Sequence, residues 1–131
     1  MAQWYRTRAM RLVLDKDPAI LTVRRYAPGE IEIGSEILRA PCILSPQQLI
    51  RDWAVTRIET IGMDELEPLL AFRPSIVILG SDALQARAPL QLRRALEARA
   101  VALEVMSLGA ACRTYNVLAQ ELRAVVAGLL P

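Results

Sequence analysis

The order of patterns along this sequence predicts a single α/β domain. A continuous apolar, β-rich run, Ser75–Gly80, and a second strand pattern, Val101–Met106, flank a segment of helical period. A β-helix-β unit of this kind implies parallel strands joined by a right-handed crossover. An alternating antiparallel hairpin lies upstream of it. The 131 residues are 53% hydrophobic and contain no repeat, linker or low-complexity tract, so one core can form without disulfides or a metal clamp.

Residues 1–18 read as an N-terminal extension and 19–131 as the folded domain. Ala19–Tyr26 carries apolar and β-branched residues on a polar background, Ala27-Pro-Gly-Glu30 is a turn signal, and Ile31–Gly34 alternates strictly. These three pieces predict the hairpin. Ile37–Leu44 predicts another strand, which Pro41 confines to an edge or an irregular segment. Ser45 followed by Pro46 has the form of an N-cap with proline at the first helical position. A short helix through Trp53 is expected there, with Leu49, Ile50 and Trp53 on its apolar side. After a turn at Ile61–Met63, Asp64 is expected to cap a helix that ends before Phe72-Arg-Pro74. Pro89 opens a helix through about Arg99, with Leu92 and Leu96 inward and Arg93, Arg94 and Glu97 outward. In the last helix Ala111, Tyr115, Leu118 and Leu122 form a sheet-facing stripe. Leu122–Leu130 then reads as a final strand interrupted by Gly128.

Composition removes several function classes. There is no histidine, which excludes Ser-His-Asp and Cys-His catalytic pairs and the usual imidazole ligands of catalytic zinc. Cys42 and Cys112 are far apart and form no CxxC pair, so no thioredoxin-like or four-cysteine metal site is available, and no metal or cofactor is expected. The net charge is +2, with +4 concentrated in the first 29 residues and −2 over the remainder. DNA and RNA are not expected partners, because a slightly acidic body with few aromatics lacks their usual footprint. No apolar run reaches the length of a transmembrane segment. Met1–Leu12 lacks the apolar stretch of a secretory signal, although it is basic and has no acidic residue. The cytoplasm is the expected compartment and the mitochondrial matrix the alternative, both reducing and consistent with two unpaired thiols.

The residues that could carry chemistry fall in two places. Gly80-Ser81-Asp82 follows a strand, where open α/β sheets gather ligands. Its glycine permits close backbone approach, but Asp82 would repel an anion, and an ordinary turn explains the same residues. Cys112 and Asn116 share one face of the last helix, next to the Ala111/Tyr115 stripe. Cys112 is either a small buried hydrophobe or a nucleophile activated by the helix start and Arg113. Arg113 could hold a carboxylate or phosphate, or form an ion pair with Glu104 or Asp82. Thr114 could join either network. Tyr115 and Trp53 are amphipathic anchors, and Glu104 lies at a layer interface if its strand is central, in which case its carboxylate would need a partner.

Taken in order, Tyr26-Ala-Pro-Gly-Glu-Ile-Glu-Ile-Gly34, Pro41-Cys-Ile-Leu-Ser-Pro46, Trp53, Pro74–Gly80, Val105-Met106 and Ala110-Ala-Cys-Arg-Thr-Tyr-Asn-Val-Leu-Ala119, followed by Glu121 and Arg123, match a specific pattern. From about Ala19 to Leu130 the chain resembles the uncharacterised domain family that includes mitochondrial NADH dehydrogenase (complex I) assembly factor 3 and the adipogenesis-associated domain protein. It looks most like a bacterial member. The resemblance implies a compact three-layer α/β domain with a central mixed sheet, flanking helices and a protruding antiparallel β-hairpin. It also implies a surface cleft formed by Gly80, Ser81, Asp82, Cys112, Arg113, Thr114, Tyr115 and Asn116, with Ser45, Pro46 and Trp53 nearby. No catalytic reaction comes with the likeness. The chain departs from the family's Gly-Thr-Gly at Gly80-Ser81-Asp82, and Leu122 stands where relatives carry glycine.

The expected function is therefore a noncatalytic protein-interaction or assembly-related domain with an unidentified protein partner. The alternatives are a module binding a small anion, or an enzyme using Cys112. The apolar hairpin offers a homodimer surface unless it folds over its own sheet.

Overall fold

The computed structural model describes residues 20–83 and 87–131. The expected N-terminal extension and Ala19 lie outside the described residues. The hairpin forms as its sequence dictates: β1 (Val23–Ala27) and β2 (Glu30–Ile33) pair antiparallel around Pro28-Gly29. Proline presets the first turn position, and Gly29 takes the positive φ of 81° that the second requires. The run 37–44 divides at Pro41 into β3 (Glu36–Leu38) and β4 (Cys42–Leu44), and the two halves enter different sheets. A proline cannot donate to a ladder, so the break falls at the residue that cannot continue one.

The expected helix at 45–53 is absent. Ser45 instead closes a tight hairpin between β4 and β5 (Leu49–Ile50). Its Oγ accepts hydrogen bonds from the backbone N–H groups of Gln47 (3.3 Å) and Gln48 (3.0 Å). The cap-like Ser-Pro pair thus stabilises a turn, because cross-strand pairing of Ile43 with Ile50 outweighs the local helix signal. A 3₁₀ turn (Ile58–Thr60) leads into α1 (Met63–Leu70). Gly62, not Asp64, is the N-cap residue, and its N–H donates to the Glu65 carboxylate at 2.7 Å.

β6 (Ile76–Ser81), α2 (Leu90–Ala98) and β7 (Ala102–Met106) form the expected unit, with β6 and β7 parallel. α3 (Leu108–Gln120) then returns the chain to β8 (Val125–Leu130), which lies parallel to β6 on its other side. The larger sheet has the order β5-β4-β8-β6-β7, and β1-β2-β3 form a second, antiparallel sheet. Mixed pairing follows from β4, which runs antiparallel to β8.

Both faces of the larger sheet are covered. On one face Ile43, Val77, Leu79, Val126 and Leu130 meet Trp53, α1 and α2. On the other, Cys42, Leu44, Ile78, Ala127 and Leu129 meet α3, which also packs on Val23, Ile31, Ile33 and Leu38 of the small sheet. The hairpin's apolar side therefore folds onto its own domain, while its tip at Pro28-Gly29 is exposed.

Three expectations about single residues change. Gly128 does not interrupt β8, which is buried along its whole length. A Cβ there would lie 2.6 Å from Trp53 Cζ3, so glycine makes room for the indole. Leu122 leaves the helical stripe: it sits beyond α3 with φ of 61° and is 79% exposed. A left-handed conformation here is one that glycine adopts most easily. Glu104 lies on the edge strand β7 and is exposed, so its carboxylate needs no buried partner.

Candidate functional site

The carboxyl ends of the parallel strands bring the loop after β6 against the start of α3. A Cβ on Gly80 would come 2.5 Å from Ala111 Cβ, so glycine sets how closely α3 approaches the sheet. Ser81 Oγ accepts from Ala83 N–H at 3.1 Å, a local turn contact. Asp82 Oδ1 accepts from Leu108 N–H at 3.0 Å. Ser107 Oγ accepts from Ala110 N–H at 3.3 Å, and is the residue capping the same helix. A carboxylate of the protein itself thus stands at the helix N-terminus, where the macrodipole would favour an anion.

Cys112 is 1% exposed and packs between α3 and the sheet. Burial pushes its thiol up to about 11, outweighing the opposite pull of Arg113. A nucleophile requires the thiolate, and at neutral pH this thiol keeps its proton. Cys42, in the same core, is pushed up to about 12 for the same reason. Tyr115 is fully buried, its hydroxyl donates to Leu21 C=O at 2.9 Å, and desolvation raises its pKa. Asn116 holds β1 with both ends of its amide. Oδ1 accepts from Val23 N–H (2.9 Å) and Nδ2 donates to Val23 C=O (2.8 Å).

Arg113 projects outward, and its guanidinium donates to the Tyr26 hydroxyl. Neither Glu104 nor Asp82 pairs with it among the described residues. Asp82 is bonded to Leu108, and Glu104 lies on the exposed edge strand. The guanidinium carbon also lies 5.8 Å from the Tyr26 ring centroid. That ring crosses α3 over Gly109, where a Cβ would come within 2.6 Å of it. Thr114 is half-buried beside Arg113.

Ser45 and Trp53 are not part of this constellation. β4 runs antiparallel to β8, so Ser45 lies at the amino end of the parallel strands, opposite the Gly80–Asp82 loop. Trp53 packs on the α1/α2 face, with Nε1–H donating to Glu65 C=O at 2.9 Å.

What remains open to a ligand is a groove of about 360 Å³ between β1 and α3, lined by Val23, Arg24, Arg25, Tyr26, Cys112, Arg113 and Asn116. The sequence marks the α3 residues of this groove but not Arg24, Arg25 or Tyr26. Its alternation puts Tyr26 on the hairpin, and Gly109 provides the gap on α3, but no local pattern links the two. Among the described residues no group of three or more acidic or cysteine side chains is placed to hold a metal.

Comparison with known proteins places this architecture. The chain is 30% identical over 130 residues to human NADH dehydrogenase [ubiquinone] 1 alpha subcomplex assembly factor 3, covering 98% of this chain and 70% of that protein. It is 27% identical over 117 residues to the 13 kDa major membrane protein of Francisella tularensis, covering 88% of this chain and 95% of the relative. The crystal structure of a Bordetella parapertussis protein superposes with a TM-score of 0.79 at 32% identity, covering 86% of this chain and 97% of that one. Residues 23–130, from the first strand to the last, match the family model described as protein of unknown function (DUF498/DUF598), and the chain belongs to that family.

Proposed function

We propose that this chain is a noncatalytic protein-interaction domain with an assembly-related role, and that its working surface is the groove between β1 and α3. One observation carries the reading: the groups that chemistry at this site would need are already engaged inside the protein. The Cys112 thiol is buried and protonated, Asp82 holds the α3 N-terminus, and Tyr115 and Asn116 tie the chain before and within β1. Tyr26 and Arg113 are left at the surface. The assembly-factor relative supports the same class of role. Asp82 weighs against a small-anion module, and the burial of Cys112 weighs against an enzyme.

Two free, buried thiols suit a reducing compartment, the cytoplasm first and the mitochondrial matrix as the alternative. Among the described residues no helix is long and apolar enough to cross a membrane. The test is affinity purification of the tagged chain at low salt, with native mass spectrometry of the eluate. A reproducible, stoichiometric protein partner and no retained small molecule is the expected result. A retained small molecule without a protein partner would overturn the reading.

A further inference from the structure

We infer that the groove between β1 and α3 receives an acidic segment of a partner protein, its carboxylates meeting Arg24 and Arg113, which line the groove with Tyr26. This rests on the interaction reading above and names the chemistry of the partner. Three arginines line the groove, and one carboxylate, Glu32, reaches two of them from the neighbouring strand. Glu32 is committed to Arg25, whose Nε and Nη2 both donate to the same carboxylate oxygen, at 2.9 and 2.7 Å. Arg24 lies 3.8 Å from Glu32, at the outer limit of an ion pair, with its side chain 65% exposed. Arg113 is bonded to a neutral hydroxyl, and among the described residues it forms no ion pair. Among the described residues the groove and its flank thus carry three arginines against the single carboxylate of Glu32, beside an amphipathic ring that is itself 43% exposed.

An aromatic ring beside arginines is the composition of an interface anchor, and planar guanidinium groups match carboxylates in geometry as well as charge. A free phosphate is the weaker fit, because the one helix N-terminus nearby is occupied by Asp82. Nucleic acid would need a run of stacking aromatics, and this groove has a single ring.

The inference is tested by NMR titration of the full-length ¹⁵N-labelled chain with the peptide acetyl-Glu-Glu-Leu-Glu-Glu-amide, with its lysine counterpart as control. Saturable shifts confined to Val23–Tyr26 and Arg113–Asn116 are expected, with apparent affinity falling roughly tenfold on raising salt from low to physiological strength. Arg24→Glu and Arg113→Glu should each weaken the peptide roughly tenfold or more. Arg24 is far enough from α3 packing to serve where the helix variant misfolds. Equal response to both peptides, shifts on another surface, or saturable binding of phosphatidylglycerol vesicles or inorganic phosphate in place of the acidic peptide would overturn the inference. The two readings fail separately. A natural partner that still co-purifies with Arg24→Glu at full yield removes the acidic-segment inference and leaves the interaction domain. Absence of any partner from the unmodified chain removes both.

Discussion

Asn116 carries the attachment of the small sheet to α3, and its loss is a sharp test at the scale of one residue. Asn116→Ala removes two hydrogen bonds to Val23 and leaves that backbone unit unpaired at a half-buried position. Urea unfolding should show a loss of about 1–3 kcal/mol. Gly109→Ala is expected to behave in the opposite manner. The added methyl meets the far end of an exposed tyrosine, which can swing away, so stability should change by less than about 1 kcal/mol while the groove opens. A shift of the Tyr26 ring resonances, with an unchanged melting temperature, would check this. Alongside buried Tyr115, the two cysteines govern the alkaline side of the pH dependence. Their folded pKa values, about 11 and about 12, lie above the ordinary thiol value of 9.0, so the native state holds its protons longer than the unfolded chain does. Their contribution is complete below pH 9 and declines as pH rises through 11 and 12. Equilibrium unfolding followed across that range should show stability falling, and thiol reagents at pH 8 should label the native chain far more slowly than the unfolded one. Sequence alone could put Cys112 beside Asn116, but not decide whether that face met solvent or core. The decision belongs to β1, a strand far away in sequence.

Among the elements, α3 is where structure and surface meet. Its start is held by Asp82 from the loop after β6 and by its own Ser107. Asp82→Ala should cost about 1 kcal/mol as a lost cap, measurable by thermal unfolding, whereas Asp82→Asn retains an acceptor and should cost less. The β6-α2-β7 unit was legible because two strand patterns flank a helical period without ambiguity. The segment 45–53 was not. Its Ser-Pro pair fits a helix cap and a turn equally well, and the tie is broken only when Ile50 finds Ile43 across the hairpin. Leu122 misled for a related reason: its spacing continues the α3 stripe, yet the helix has already ended and the backbone has turned left-handed.

For the whole molecule, the same hairpin that suggested a homodimer closes the second core. Val23, Ile31, Ile33 and Leu38 are buried under α3, so the apolar side that would have driven self-association is already covered. Light scattering is expected to give the 14.5 kDa monomer. The layer order was carried by the family likeness more than by periodicity, since alternation shows which faces are apolar but not which sheet each strand joins. Function is read from what the fold leaves over after packing: a groove with a tyrosine and exposed arginines, beside a cysteine it has sealed. The most direct measurement of that claim is quantitative partner capture with three tagged chains, the unmodified protein, Tyr26→Ala and Cys112→Ala. The account predicts one stoichiometric partner with the unmodified chain and with Cys112→Ala, reduced at least roughly tenfold by Tyr26→Ala. Capture unaffected by Tyr26→Ala, or a turnover that disappears with Cys112→Ala, would contradict it.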